Sequence, residues 1–200
     1  MERKPLVLYT IGHSNQTMER FLDLLGQHGI EAIADVRSSP YCRYATHFSK
    51  HNLKPELRER DIAYVFLGHE LGARREEEEC YREGKADFER VAATPAFKKG
   101  LARLLKGASK MTVAVLCAEK DPLTCHRAIL IARHASGLVS EIRHILPDGS
   151  VETHTEAEQR LLAECKLQEP DLFMSRDERL LEAYRRRAGQ LAHEEIEPDD

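Results

Sequence analysis

Tryptophan is absent from the 200-residue chain, and aromatic residues make up only 6% of it. A rich platform of rings for stacking bases is therefore not evident. CxxC pairs are also missing. The cysteines (Cys42, Cys80, Cys117, Cys125 and Cys165) are odd in number and widely spaced. That pattern argues against a secreted disulfide scaffold and makes free thiols the expected state. No apolar run approaches the roughly 18 residues of a membrane span, and the N-terminal segment has no signal-peptide pattern. A cytoplasmic location is expected, with no membrane partner. Nucleotide-binding loops of the Walker A or GxGxxG kind are absent, as is any recognised redox-cofactor motif. A compact CxxxxxR phosphatase loop is excluded because Arg127 follows Cys125 by only two residues.

What remains is an ordinary globular composition: 42% hydrophobic, 32% charged, net charge -4. The mild acidity gives no global attraction to nucleic acid, yet it permits a local basic cleft. Residues 6–11 form a short apolar run that ends at Gly12 and reads as a buried strand. In "TMERFLDLLGQHG", Met18, Phe21, Leu22, Leu24 and Leu25 fall near helical spacing, with Gly29 as the stop. "IEAIADVR" supplies a second strand ending near Asp35 and Arg37. Strand, helix and strand in so short a span favour a right-handed parallel βαβ unit.

Ser38-Ser39-Pro40 opens a loop. A polar helix follows in "FSKHNLKPELRERD", where Pro55 is expected to limit the helix or mark its first turn. Residues 62–67 give a third strand. The acidic run 76–79 reads as a solvated face, and residues 87–105 as one or two helices around Thr94-Pro95. "MTVAVLCAE" is the clearest strand and "TCHRAILIARHA" the clearest helix. Pro147-Asp148-Gly149 splits the next segment into a parallel strand and a short hairpin edge. Two charged amphipathic helices close the chain. Leu180, Leu181, Tyr184, Ala188 and Leu191 on the last of them suit either core or homo-oligomer packing. The expectation is a single α/β domain over residues 1–192, three-layered, with a mostly parallel sheet and helices on both faces. Residues 193–200 form an acidic tail.

In open parallel sheets, ligands collect at the carboxyl ends of strands. Four predicted strand ends carry polar residues: Gly12-His13-Ser14-Asn15, Asp35 with Arg37, Gly68-His69-Glu70, and Cys117 with Glu119. Their convergence on one crevice is expected. Gly12 suits close backbone approach. His13 suits proton transfer or metal ligation, or alternatively a helix cap. Ser14 suits ligand contact or a cap. Asp35 could serve as base or orienter, and Arg37 could fork onto an anion; a salt bridge between them is the competing reading. Glu119 and Glu70 are further carboxylate candidates.

The stretch "LCAEKDPLTCHR" admits three roles. Asp121 or Thr124 capping a helix would put Cys125 in or just after its first turn, where free N–H groups favour an anion held with Arg127 and Arg37. Cys125 could instead be a thiolate nucleophile. Cys117, Cys125, His126 and His13 could also supply S and N ligands to a divalent metal. The loop "RSSPYCRYATHFSKHN" mixes Arg37, Arg43, Lys50, Tyr41, Tyr44, His47 and His51. It suits phosphate and base contact, or an ordinary cover over the sheet.

The segments "YTIGHSN", "DVRSSP", "GHELGAR" and "LCAEKDPLTCHR", in this order, resemble the DUF488 family of small bacterial and archaeal proteins. The resemblance spans residues 9–127, within a family-like region of about 6–150 followed by a helical extension. It implies an α/β domain and points to His13, Ser14, Asp35, Arg37, Glu70, Cys117, Glu119, Cys125, His126 and Arg127. It implies no particular reaction. His69 and Ala73 stand where family members often have glycine, in segments more like "GGELGG". The expectation from residues and resemblance together is an intracellular enzyme, a hydrolase of a small anionic substrate such as a nucleotide or modified base. A nucleic-acid-associated base-processing protein and a non-enzymatic metal or ligand sensor are the rival classes.

Overall fold

A computed structural model describes residues 5–170 and 172–192; the predicted acidic tail, residues 193–200, lies outside the described residues. Six strands form one sheet: β1 Val7–Gly12, β2 Ala32–Asp35, β3 Ala63–Phe66, β6 Val113–Cys117, β7 Glu141–Ile145 and β8 Val151–Thr153. Their order is β3-β2-β6-β1-β7-β8. Every pairing is parallel except β7 with β8, so the fold is α/β with a mixed, mostly parallel sheet. The last pairing is the predicted hairpin edge. A separate two-stranded ribbon, β4 Tyr81–Arg82 with β5 Lys85–Ala86, follows the acidic run 76–79, a ribbon that the sequence pattern did not reveal. Its turn residues Glu83 and Gly84 both have positive φ.

Helices cover both faces. One face carries α1 Met18–Gln27 and α2 Lys50–Arg58. Thr17 caps α1 by accepting from the Arg20 amide, and Phe21, Leu22, Leu24 and Leu25 are its buried stripe. Pro55 lies inside α2 rather than at its first turn. Proline has no N–H to give the carbonyl of His51, one helical turn back, and His51 is exposed to water. The other face carries α4 Phe88–Ala93, α5 Pro95–Ala108, a π-helical segment Arg127–Ala132 continuing into α6 Arg133–Ala135, then α7 His154–Glu164 and α8 Arg176–Leu191. A four-residue turn of helix, α3 Gly68–Leu71, packs on α5. No helix among the described residues is long and apolar enough to cross a membrane.

Strand alternation divides the core in two. On β6, Val113, Val115 and Cys117 belong to the α5 and α8 face, with Leu8, Ala34 and Val36. Ala114 and Leu116 belong to the α1 and α2 face, with Ile11, Ile33 and Phe48. The π segment is buried on every side, as a helix apolar all round requires. On α8, Ala183 and Tyr184 are buried and Leu180, Ala188 and Leu191 pack against the same core. Their stripe is thus occupied within the chain.

A polar thread ties α7 and α8 to the sheet. Thr10 Oγ1 lies 2.7 Å from His144 Nδ1, His144 Nε2 3.1 Å from His154 Nδ1, and His154 Nε2 3.0 Å from Tyr184 Oη, which donates to Glu158. One consistent proton order runs through it, each donor feeding the next acceptor, with both imidazoles neutral. Burial lowers His154 to about 4, and burial together with the neighbouring His154 drives His144 well below its usual value.

Candidate functional site

β1 and β6 end side by side, Gly12 opposite Cys117, and Asp35 ends β2 opposite Leu116. The ladder continues past β1, with the His13 and Ser14 amides donating to the carbonyls of Cys117 and Ala118. Ser14 takes a positive φ of 48° to make this turn. A cavity of about 320 Å³ opens at these ends, lined by Arg37, Ser38, Ser39, Tyr41 and Cys42 on one side and by Arg74, Cys117, Glu119, Cys125 and His126 on the other.

Cys117 points from β6 toward the π segment. Beyond it, Asp121 caps a 3-10 turn, Pro122–Thr124, by accepting from the Leu123 amide. Arg160 grips the same carboxylate at 2.9 Å. Cys125 then adopts an extended backbone, and the helix begins only at Arg127. This corrects the expectation of a regular helix from Thr124: the tight turn around Pro122 uses up those residues, and π geometry takes over where the chain enters the core. The carbonyl of Cys125 accepts from the amides of Ala128 and Ile129, so Cys125 occupies the entry to the helix.

The result brings three donors together. Ligand atoms of Cys117, Cys125 and His126 all lie within 4.8 Å of one another, and all three residues are buried. His126 Nδ1 is 3.5 Å from Cys117 Sγ and 3.8 Å from Cys125 Sγ. Its other nitrogen, Nε2, is 3.2 Å from the Val36 carbonyl. A carbonyl can only accept, so the proton sits on Nε2 and the Nδ1 lone pair faces the thiols. Histidines that bind metals are oriented in this way. The amide of Arg127 is 3.5 Å from Cys125 Sγ. Burial alone would push Cys125 up, but the hydrogen bond from Cys117 and the charge of Arg127 outweigh it and hold Cys125 well below the ordinary thiol range. Donating to Cys125, with burial adding, holds Cys117 well above it. Together the three residues make a Cys2His group able to chelate a metal ion.

His13 does not join that group. It directly follows Gly12, the last residue of β1, and the alternation that continues past the strand end sends it to the opposite face. There it stacks on Phe48 at 4.5 Å. His13 Nδ1 is 2.8 Å from the Ser14 carbonyl, and Nε2 faces Arg37 Nη1 at 3.2 Å and Cys42 Sγ at 3.5 Å. Burial, chiefly, lowers its pKa to about 4, so the ring is neutral at pH 7.

Asp35 and Arg37 form the salt bridge that was the competing reading. Arg37 Nε and Nη2 donate to the two carboxylate oxygens at 2.9 and 2.6 Å, and Tyr64 Oη adds a bond of 2.7 Å. Arg37 Nη1 donates to the Phe48 carbonyl. Burial alone would lower the Arg37 pKa; Asp35 more than offsets this and raises it. Desolvation, then Asp35, pushes the Tyr64 phenol up. The guanidinium lines the cavity with its donors directed into the protein. Arg127 is likewise withdrawn. It is fully buried and donates to the carbonyls of Glu119 and Lys120, bracing the loop after β6. Gly12 makes room for that brace: a Cβ there would come within 1.8 Å of the Glu119 carbonyl oxygen. Glu70 turns to α5, where it pairs with Arg103. His69 is exposed, its ring edge-on to Phe66 at 5.0 Å and outside the cavity lining.

The predicted convergence is therefore divided. Cys117, Cys125, His126 and Glu119 meet in the cavity, which Arg37 also lines, while the Arg37 guanidinium is tied to Asp35 and His13 in a separate polar cluster; Glu70 stands apart. Sequence reasoning missed Cys42 and Arg74. Cys42 lies in a loop without periodicity, and its neighbours in "YCRY" were its only signal. Arg74 ends the "GHELGAR" segment, is exposed, and has no side-chain hydrogen bond or ion pair among the described residues. Its amide donates to Ser38 Oγ at 2.9 Å, which holds the two cavity walls together.

The family model described as a domain of unknown function, DUF488, matches residues 17–133. Neither curated proteins nor solved structures give a match. The matched span contains the Cys2His group, the Asp35–Arg37 pair and Arg74, and it shows that the chain belongs to the DUF488 family.

Proposed function

We propose that this protein is a metal-dependent hydrolase acting on a small anionic substrate of the nucleotide or modified-base kind. The observation that carries the reading is the convergence of Cys117, Cys125 and His126 donor atoms on the cavity floor, with a carboxylate, Glu119, in the same wall. Three protein ligands, two of them thiols, suit zinc in a site with one position left for water or substrate. A zinc ion held by Cys117, Cys125 and His126 would supply a polarising charge of the kind that makes water nucleophilic near neutral pH.

The residues would divide the remaining work. Glu119 has no hydrogen-bond partner for its carboxylate among the described residues and would serve as the base that accepts a proton from water. Arg74, equally unpartnered, pairs with the negative charge of the substrate. Cys125 acts as a ligand and not as the nucleophile, because its sulfur is turned to Cys117 and His126 inside the protein. His13, Asp35 and Arg37 hold the wall that carries Cys42 and Tyr41 in place.

The test is turnover of a panel of nucleoside monophosphates and modified nucleosides by zinc-reconstituted protein, followed by chromatography. Hydrolysis of at least one member is expected, falling about 100-fold or more in Glu119→Gln with zinc content unchanged. Full activity in that variant would remove Glu119 from the mechanism. Stoichiometric zinc with no turnover of any member would favour the sensor class instead.

A further inference from the structure

Residues 36–55 contain no aspartate or glutamate, although the chain carries 34 acidic residues against 30 basic ones. The segment holds Arg43, Lys50 and Lys54, and Arg58 follows one helical turn later. It runs from the end of β2, over the mouth of the cavity, and into α2. Lys50, Lys54 and Arg58 recur every fourth residue, so they line one side of that helix. They and Tyr41 line a groove of about 640 Å³, together with His51, Pro55 and Glu59. Tyr41 lines both this groove and the cavity of the Cys2His group, so the two adjoin at that residue.

Two aromatic rings of the same acid-free segment face water. Tyr44 is 96% exposed and Tyr41 is 68% exposed. Arg43 lies between them in sequence and is exposed, and neither Arg43, Lys54 nor Arg58 has an ion-pair partner among the described residues. His51 meets the Tyr41 ring at 6.4 Å.

We infer that this groove binds single-stranded nucleic acid and leads one base or phosphate of the strand into the Cys2His cavity. Cations at regular spacing track a phosphate backbone, and exposed rings stack unpaired bases. A duplex keeps its base faces covered, so free rings favour a single strand. A base reaching Glu119 must also leave its stack, which is least costly in a strand already unpaired. The inference names the substrate class for the proposed hydrolase. It rests on that reading for the chemistry in the cavity, whereas binding in the groove stands without it.

The experiment is fluorescence anisotropy of a labelled, mixed-sequence single-stranded oligodeoxynucleotide with the full chain, zinc-loaded and zinc-depleted. Binding is expected in both forms, weakening linearly in log K against log salt. Tyr44→Ala and Lys54→Glu are each expected to weaken it by about tenfold. An unlabelled duplex of the same sequence should compete less well than the single strand. Absence of binding at low salt would overturn the inference, and so would unchanged affinity in both variants. Heparin competing on equal terms, with Tyr44→Ala without effect, would mark a generic polyanion surface and equally overturn it. Strand binding in both forms, with no cleavage or base change of the bound strand by the zinc-loaded protein, would sink only the hydrolase reading.

Discussion

Asp35 accepts from the Arg37 amide, from Arg37 Nε and Nη2, and from the Tyr64 hydroxyl, which leaves its carboxylate no free lone pair for a reacting water. Its work is to neutralise a buried guanidinium. Asp35→Asn removes the charge and keeps the shape, leaving Arg37 uncompensated at 4% exposure. The expected loss is about 3 kcal/mol, read as a lower denaturant midpoint. Full stability with lost turnover would instead make Asp35 a catalytic base. From sequence, the alternation of β2 placed Asp35 and Arg37 on the same side, and the ion pair was one of two readings. The choice between them depended on Tyr64, which arrives from β3, and on the Phe48 carbonyl, which arrives from the loop before α2. Neither neighbour is visible in the local sequence.

Strands and helices followed from periodicity and caps, because those signals are local. The meeting of elements did not. Cys117 and His13 both stand at strand ends, yet β1 and β6 pair with Gly12 opposite Cys117, and that register sends His13 to the far face. Glu119, two residues on from Cys117, keeps its side and reaches the same cavity. The change from 3-10 turn to π segment around Cys125 also left no trace in the apolar pattern, since both sides of that helix are buried. The thread through His144, His154 and Tyr184 is another contact of distant elements. Tyr184→Phe deletes the hydroxyl that joins His154 to Glu158 and leaves buried polar atoms unpaired, at a cost of about 2 kcal/mol. Faster amide exchange over α8 is expected, with the β1 and β6 amides unchanged. Unaltered exchange in α8 would mean that apolar packing alone holds it.

Across the chain, buried neutral imidazoles set the response to acid. His13 and His154 both titrate near 4 in the folded protein, against 6.5 when unfolded, burial being the main cause. Below pH 6.5 the unfolded chain takes up protons that the folded chain does not. Stability is therefore greatest above about pH 6.5 and falls as pH drops toward 4, by on the order of 3 kcal/mol for each histidine. Urea midpoints of zinc-free protein across that interval should decline steadily; a flat profile would contradict the buried, neutral assignment. The same fold that hides these imidazoles leaves three soft donors at the cavity floor, and on this the functional account depends.

The most direct test of that account is the zinc content of tag-free, reduced protein after reconstitution and dialysis, measured by inductively coupled plasma mass spectrometry beside Cys117→Ser and His126→Ala. The account predicts about one zinc per chain in the wild type, lost in both variants while their circular dichroism stays native. Less than about 0.1 zinc per chain in the wild type, or full retention in either variant, would contradict it.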